Sequence, residues 1–227
     1  MPSVRKSYDE ELLQLDTLLA RMGHEAGAAI ESALTALRND DIELARSVVA
    51  RDSQIDASEH EIEHRCLQLL LRQQPVASDL RQISAALKMI TDMERIGDQA
   101  EDIAEIIGFL NGRSGEECAF VGHMARAAIS MVTGSVDAYV RRDVALAHEV
   151  IARDDVVDED FRKVKATLID WIAQRPDDGE YALDLLMIAK YFERIGDHAA
   201  NIAGWVVFAV TGVHDGEENG HDLVCGG

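Results

Sequence analysis

The chain repeats itself, and this internal duplication constrains its fold more than any other feature. Residues 93–100 read MERIGDQA, and residues 192–199, which lie 99 positions later, read FERIGDHA. Upstream, an A-R-D-x-x-x-D stretch begins at Ala50 and recurs at Ala152, 102 positions later. Because order and approximate spacing are both kept, the sequence predicts two copies of one structural unit.

Each copy contains three segments whose apolar residues alternate in steps of three and four, the spacing of amphipathic helices. In the first copy the first helix passes through residues 12–37, the second covers about 41–74 and the third about 78–110. Pro75 ends the second helix, and Asn111-Gly112 ends the third. The second copy predicts three more helices, the last reaching about residue 213. The expected fold is all-α, with two tandem antiparallel three-helix bundles related by duplication.

These patterns divide the chain into three parts. We expect a first three-helix bundle over residues 1–112, a second over residues 113–213, and a junction near residues 112–115. Residues 214–227 are rich in Gly, Asp and Glu, so we predict a disordered acidic tail there.

Composition narrows the possible functions. The formal charge is −20, from 42 acidic and 22 basic residues, so the surface should repel phosphate backbones and we expect no nucleic-acid binding. The three cysteines are scattered without a C-x-x-C pair, which disfavours a disulfide framework. The N-terminus lacks the apolar core of a signal peptide, and the apolar stretch around residues 205–210 is too short to span a membrane. These features predict a soluble, cytoplasmic protein.

Carboxylates interrupt the apolar stripes at matching positions of the two copies. Asp52 and Asp154 fall on the stripe of the second helix of each copy, and Glu94 and Glu193 fall on the stripe of the third. Each has a further acidic residue four positions later. Like charges at that spacing destabilise a helix by about 0.2–0.5 kcal/mol, so something must compensate for them.

An antiparallel pairing of the second and third helices brings these carboxylates to one level. If the chain folds back about Pro75, the D-x-x-x-D motif lies opposite the E-x-x-x-D motif, and the second copy repeats the arrangement about Pro176. Clusters of oxygen ligands suit divalent or trivalent ions, with Mg²⁺, Mn²⁺, Fe, Zn²⁺ and Ca²⁺ all open. The candidate metal ligands are Asp52, Asp56, Glu94 and Asp98 in the first copy and Asp154, Asp158, Glu193 and Asp197 in the second. Asp102 and Asn201, one turn further on, are possible peripheral ligands.

A simpler interpretation is an acidic seam neutralised by arginines alone, namely Arg51, Arg95, Arg153 and Arg194. Neighbouring side chains on a helix point about 100° apart, so we expect none of these arginines to pair with the carboxylate beside it, although arginines from other helices could do so.

At the same motifs the chain resembles the PhoU family. The E-R-I-G-D motifs at residues 94–98 and 193–197, with their D-x-x-x-D partners, carry the resemblance, which covers about residues 5–213. It implies a non-enzymatic, metal-binding regulator of phosphate homeostasis that often forms homodimers. It further implies coupling of a high-affinity phosphate ABC transporter, through its ATPase subunit, to a sensor histidine kinase, with peripheral membrane association through these partners. Such proteins repress the phosphate-starvation response and phosphate uptake when phosphate is plentiful.

One departure separates the copies. The first carries Glu101 and Asp102 where the second carries Ala200 and Asn201, so the two sites are expected to differ in metal preference or occupancy.

Two alternatives remain open. A carboxylate-bridged metal enzyme or a metal-storage protein of the ferritin type needs two E-x-x-H motifs on separate helices, and within the predicted helices only Glu61 with His64 fits that pattern. A metal-independent helical scaffold would keep its stability and its partners after chelation. Direct phosphate binding by the bare protein is disfavoured, because the sequence has no P-loop and the acidic seam repels anions.

Overall fold

The described part of the chain is entirely helical. In a computed structural model, residues 4–72, 75–110, 112–113 and 121–213 are described, and these residues contain seven α-helices, one 3₁₀ turn and no β-strand. The helices are α1 (Val4–Asn39), α2 (Ile42–Arg72), α3 (Ala77–Ile107), α4 (Gly122–Arg141), α5 (Val144–Ala152), α6 (Asp154–Gln174) and α7 (Gly179–Thr211), with the 3₁₀ turn at Pro176–Asp178. The predicted all-α fold is confirmed.

The helices pack as two bundles that share one apolar core. Helices α1, α2 and α3 pack on one another, and α4, the α5–α6 pair and α7 form the second set. The bundles meet where α3 packs on α7 and where α1 packs on α4. The apolar stripe of α1 is fully buried at Leu15, Leu19 and Met22, and the core continues without interruption into the second bundle.

The first turn of each bundle shows the duplication in atomic detail. Asp40 and Arg142, 102 residues apart, both adopt the left-handed conformation, with φ values of 55° and 53°. The next residue caps the following helix in both copies, because Asp41 accepts a hydrogen bond from the backbone N–H of Leu44 and Asp143 accepts one from that of Leu146. The same turn chemistry therefore reverses the chain in both bundles.

Contacts between α3 and α7 relate the two copies by an approximate twofold axis. The Asn201 amide on α7 donates a hydrogen bond to Asp92 on α3 at 3.3 Å. The counterparts of these residues under the 99-residue repeat are Asp102 and Tyr191, which also lie side by side. The two helices therefore run antiparallel to each other, and each end of their interface repeats the other.

The second copy was predicted to have one continuous second helix, and this prediction is wrong at one position. Helix α5 ends at Ala152 and α6 begins at Asp154, with Arg153 between them. The Arg153 N–H bonds to the carbonyl three residues back, which tightens the chain at the break. Asp154 and Asp155 stand in the first turn of α6, where the helix dipole favours negative charge. In the first copy α2 is continuous through the matching position.

The remaining helix ends lie within a few residues of the predicted ones. Helix α3 ends at Ile107, earlier than expected, and α7 ends at Thr211 before Gly212, whose φ of 82° is the left-handed conformation that closes helices. The predicted stops at Gln74 and Asn111, half of the predicted junction and the predicted tail at residues 214–227 lie outside the described residues. The described helices include none that is long and apolar enough to cross a membrane.

Candidate metal centre

The first bundle brings three of the predicted carboxylates together in the groove between α2 and α3. Asp52 and Asp56 come from α2 and Asp98 from α3, and one oxygen of each lies within 4.8 Å of the others. Glu94, one turn before Asp98, is half-buried and close enough to this group for Asp56 to raise its pKa. The four side chains lie at the rim of the groove rather than in the core, because α2 and α3 direct their apolar stripes inward and leave these positions at the edge.

Two features of the groove fit a cation. The Asp52 Oδ1 atom is buried and has no hydrogen-bond partner among the described residues. Gly97 keeps the space beside it open, since a Cβ at that position would stand 3.1 Å from Asp52 Oδ1 and 3.0 Å from Ile55 Cδ1. A buried carboxylate oxygen without a donor is costly, and a metal ion or a proton would satisfy it. The ligand set is oxygen-only, which suits hard and borderline cations.

Two further carboxylates join the first site, and the sequence analysis did not assign them to it. Burial and the charge of Asp52 raise the pKa of Glu101 to about 7. Glu59 on α2 lies close enough to Glu94 to raise the pKa of that group as well. Glu59 lies on the same apolar stripe as Asp52, and Glu101 follows Asp98 by three residues, so helical spacing contained the signal for both.

Burial and mutual repulsion both raise the pKa values of these carboxylates. Burial, followed by the charges of Asp56 and Asp98, raises the pKa of Asp52, and a hydrogen bond with Glu101 opposes this rise. Burial also raises the pKa of Asp98, where Arg95 counteracts it and Asp56 reinforces it. The metal-free site therefore holds its protons more tightly than ordinary carboxylates do.

The expectation that the neighbouring arginines stay apart from the motifs is wrong for Arg95. Its guanidinium lies 3.4 Å from Glu94 and 3.1 Å from Asp98, because the long side chain curls back over the rim. Half of this arginine side chain is exposed, so its contribution is weak. Arg153 donates to Ser130 instead of a motif carboxylate. Arg95 therefore screens the exposed side of the first site and leaves Asp52 Oδ1 without a partner among the described residues.

The second bundle gathers its four predicted carboxylates more loosely. Asp154 has a pKa raised to about 6 by burial and by the charges of Asp197 and Asp158, so these groups are neighbours. Glu193 contributes to the same repulsion and also forms an ion pair with Lys190. Within the described residues, no group of three ligand atoms at this site meets the spacing seen in the first bundle.

Asp102 and Asn201, the possible peripheral ligands, face the interface between the bundles. Asp102 lies beside Tyr191, and Asn201 donates to Asp92. Asp102 is not one of the three residues whose ligand atoms meet, but it is close enough for its charge to raise the pKa of Asp52 and of Asp98, so it borders the first site.

The E-x-x-H pair does not form a di-iron half-site. Glu61 binds Arg21 at 3.1 Å, and the exposed His64 ring lies 2.6 Å from the Gln68 amide. The two side chains thus have separate partners on the outer face of α2.

Comparisons with known proteins agree with the fold and the motifs. The family model described as PhoU domain matches residues 19–107 and again 121–206. A protein of Clostridium acetobutylicum named phosphate-specific transport system accessory protein PhoU homolog is 35% identical over 210 residues, covering 92% of this chain and 96% of the relative. A Pseudomonas putida protein of the same name is 33% identical, covering 92% of this chain and 82% of the relative.

Solved structures give the same result. The crystal structure of PhoU from Pseudomonas aeruginosa matches with a TM-score of 0.82 and 31% identity, covering 91% of this chain and 100% of that one. The phosphate transport system regulatory protein PhoU from Streptococcus pneumoniae matches with a TM-score of 0.82 and 25% identity, covering 91% and 98%. Both family-model segments contain a complete pair of acidic motifs.

Proposed function

The chain belongs to the PhoU family, and from that premise we propose that it is a metal-binding regulatory protein of phosphate transport. The names of its relatives, which describe accessory and regulatory proteins of phosphate-specific transport systems, support the biological role. The observation that carries the metal binding is the convergence of Asp52, Asp56 and Asp98 around a buried oxygen that lacks a donor.

In the proposed role, Asp52, Asp56, Glu94 and Asp98 hold the cation in the first bundle. Asp154, Asp158, Glu193 and Asp197 are the corresponding ligands in the second. The cation neutralises the carboxylates, which otherwise repel one another across the groove, and so fixes α2 against α3. Mg²⁺, Mn²⁺, Fe, Zn²⁺ and Ca²⁺ are all compatible with oxygen ligands.

The partners we propose are the ATPase subunit of a phosphate ABC transporter and a sensor histidine kinase. The protein would act in the cytoplasm as a homodimer, reach the membrane through these partners, and repress uptake and the starvation response when phosphate is abundant. The charge of −20 favours partners with basic surfaces. A regulatory rather than catalytic role fits the site, which offers carboxylates to a metal but does not form the E-x-x-H pair of di-iron enzymes.

Elemental analysis of the purified protein tests the metal site. We expect bound metal in the wild type and a sharp loss in a variant with Asp52→Asn and Asp98→Asn, two changes that keep side-chain volume and remove charge. Asp170→Asn, on an exposed position of α6 away from both grooves, is the matched control and should retain the metal. Equal metal content in all three proteins would overturn the site assignment.

Binding measurements with the purified ATPase subunit and the cytoplasmic part of the kinase test the regulatory role. Biolayer interferometry before and after chelation should show that metal removal weakens at least one complex. Unchanged binding and unchanged melting temperature after chelation would instead support the metal-independent scaffold.

A further inference from the structure

The two metal sites, although related by duplication, differ in charge at the same structural positions. This inference rests on the proposed metal binding and goes beyond it. Glu59 and Glu101 of the first site correspond to Phe161 and Ala200 of the second under the two repeat offsets. The second site has therefore lost two of the carboxylates that surround the first. Asp155, where the first copy has Ser53, is exposed and stands beside the site rather than in it.

A lysine takes part in the second site. The Lys190 ammonium forms an ion pair with Glu193, whose side chain is only 13% exposed. The same ammonium lies 5.4 Å from the centre of the Phe161 ring, a distance at which a cation is attracted to an aromatic face. The residue that replaces Glu59 thus helps to hold the lysine.

The first site has no counterpart of this lysine. The residue that matches Lys190 is Thr91, which is exposed and whose hydroxyl donates to the carbonyl of Leu87. The arginine of the E-R-I-G-D motif is present in both copies but is used differently. Arg95 pairs with Glu94 and Asp98 of the first site from its exposed side, whereas Arg194 forms no ion pair with its motif in the described residues and instead lowers the pKa of Asp102. Lys190, in contrast, pairs with a largely buried carboxylate of the second site.

The backbone adds a second difference. The break between α5 and α6 falls at Arg153, immediately before Asp154, whereas α2 is continuous at Asp52. The glycine of the motif is also less confined, because a Cβ at Gly196 would stand 3.5 Å from Asp154 Oδ1, against 3.1 Å for Gly97 and Asp52. In the described residues, only the first site brings three carboxylates within 4.8 Å.

We propose that the two sites bind metal unequally, and that Lys190 acts as a built-in cation that competes with metal for Glu193. The first site is then the high-affinity site, because it carries two more carboxylates and its arginine covers only the exposed side. The second site is partly neutralised without metal and takes up a divalent cation only when the lysine is displaced.

Reciprocal substitutions test this inference with Mn²⁺ as the probe. Lys190→Thr gives the second site the residue of the first, and Thr91→Lys does the opposite. Lys190→Thr is made in a protein whose first site is disabled by Asp52→Asn and Asp98→Asn. Thr91→Lys is made in a protein whose second site is disabled by Asp154→Asn and Asp197→Asn. Isothermal titration calorimetry then reports the affinity and stoichiometry of one site at a time, and circular dichroism confirms that each variant is folded.

We expect Lys190→Thr to tighten Mn²⁺ binding at the second site about fivefold and Thr91→Lys to weaken it at the first by a similar factor. Lys165→Thr, which removes an exposed lysine of α6, is the charge control and should change neither affinity. Equal wild-type affinities at the two sites, or no effect of Lys190→Thr beyond that of the control, would overturn the inference and leave the proposed metal binding intact. Absence of Mn²⁺ binding at both wild-type sites, with no other metal bound, would overturn the proposed metal binding itself.

Discussion

Replacing Gly97 by alanine would place a methyl group in the groove between α2 and α3. The new Cβ would stand 3.0 Å from Ile55 Cδ1 and 3.1 Å from Asp52 Oδ1. Ordinary contacts between carbon atoms are about 3.5–4.0 Å, and Ile55 is almost completely buried, so neither neighbour can move away at little cost. Because Asp52 is a candidate ligand, this single methyl should disturb both stability and metal binding.

Two opposing contributions set the expected change in stability. Alanine is favoured over glycine inside a helix by about 1 kcal/mol, whereas overpacking a filled site costs about 1–3 kcal/mol. A Cβ added at Gly27 on α1 would meet nothing within 4 Å, so Gly27→Ala should show the helix gain alone. At Gly196 the nearest atom is Val157 Cγ1 at 3.3 Å, and the gain and the cost should nearly cancel. Gly97→Ala should therefore be about 1–3 kcal/mol less stable than Gly27→Ala.

Thermal unfolding of the three metal-free variants measures this difference. For a chain of this length, each kcal/mol corresponds to about 2–4 °C in Tm. A Mn²⁺ titration of the same samples should show weakened binding for Gly97→Ala and little change for Gly196→Ala. If Gly97→Ala melts at the temperature of Gly27→Ala and binds Mn²⁺ like the wild type, the close approach of Gly97 to Asp52 has no energetic significance and the reasoning fails.

Three further predictions concern pH, capping and the contact between bundles. The metal-free protein should be more stable at pH 5 than at pH 8, because the folded-state pKa values of about 7 for Glu101 and about 6 for Asp154 exceed their ordinary values of 4.5 and 3.8. The folded state then binds more protons than the unfolded chain between about pH 4 and pH 7, so stability falls as the pH rises through that window. Melting temperatures measured in chelator at several pH values test this. A melting temperature that stays constant or rises with pH would refute it. Asp143→Ala should lower the free energy of unfolding by about 1 kcal/mol, because it removes the cap of α5, while Asp143→Asn keeps an acceptor and should lower it less. Urea unfolding measures both variants. Equal losses would contradict a capping role for Asp143. Tyr139→Phe should cost about 1.5 kcal/mol, because the hydroxyl that donates to Asp16 across the two bundles is lost; an unchanged urea midpoint would show that this hydrogen bond contributes nothing.

Much of the fold could be predicted from the sequence, because its strongest signals are local and repeated. The three-four spacing identified the helices, and Pro75 and Pro176 marked the positions of two reversals. The break at Arg153 was missed for a physical reason. The apolar stripe continues through it, and what interrupts the helix is a pair of aspartates that favours a new helix start.

The meeting of the carboxylates in the first bundle was predicted in outline, and several of their neighbours were missed. Pairing of antiparallel helices located the level at which the carboxylates meet, and the structure brings Asp52, Asp56 and Asp98 together there. The contact of Lys190 with Glu193 was not predicted, because an exposed lysine three residues before a glutamate is common on helices. Its significance depends on Phe161, which is distant in sequence and reaches the lysine only through tertiary packing.

The differences between the two copies suggest how metal binding at one site could regulate the whole protein. Carboxylates held this close raise the free energy of the folded chain unless a proton, a metal or a lysine neutralises them. In the proposed scheme the second bundle supplies part of this neutralisation through Lys190 and stays ordered whatever the metal supply, while the first depends on its surroundings. Because α3 carries half of the first site and packs against α7, loss of metal there would loosen the very helix that joins the bundles. Metal occupancy of one site would then change the surface formed by both.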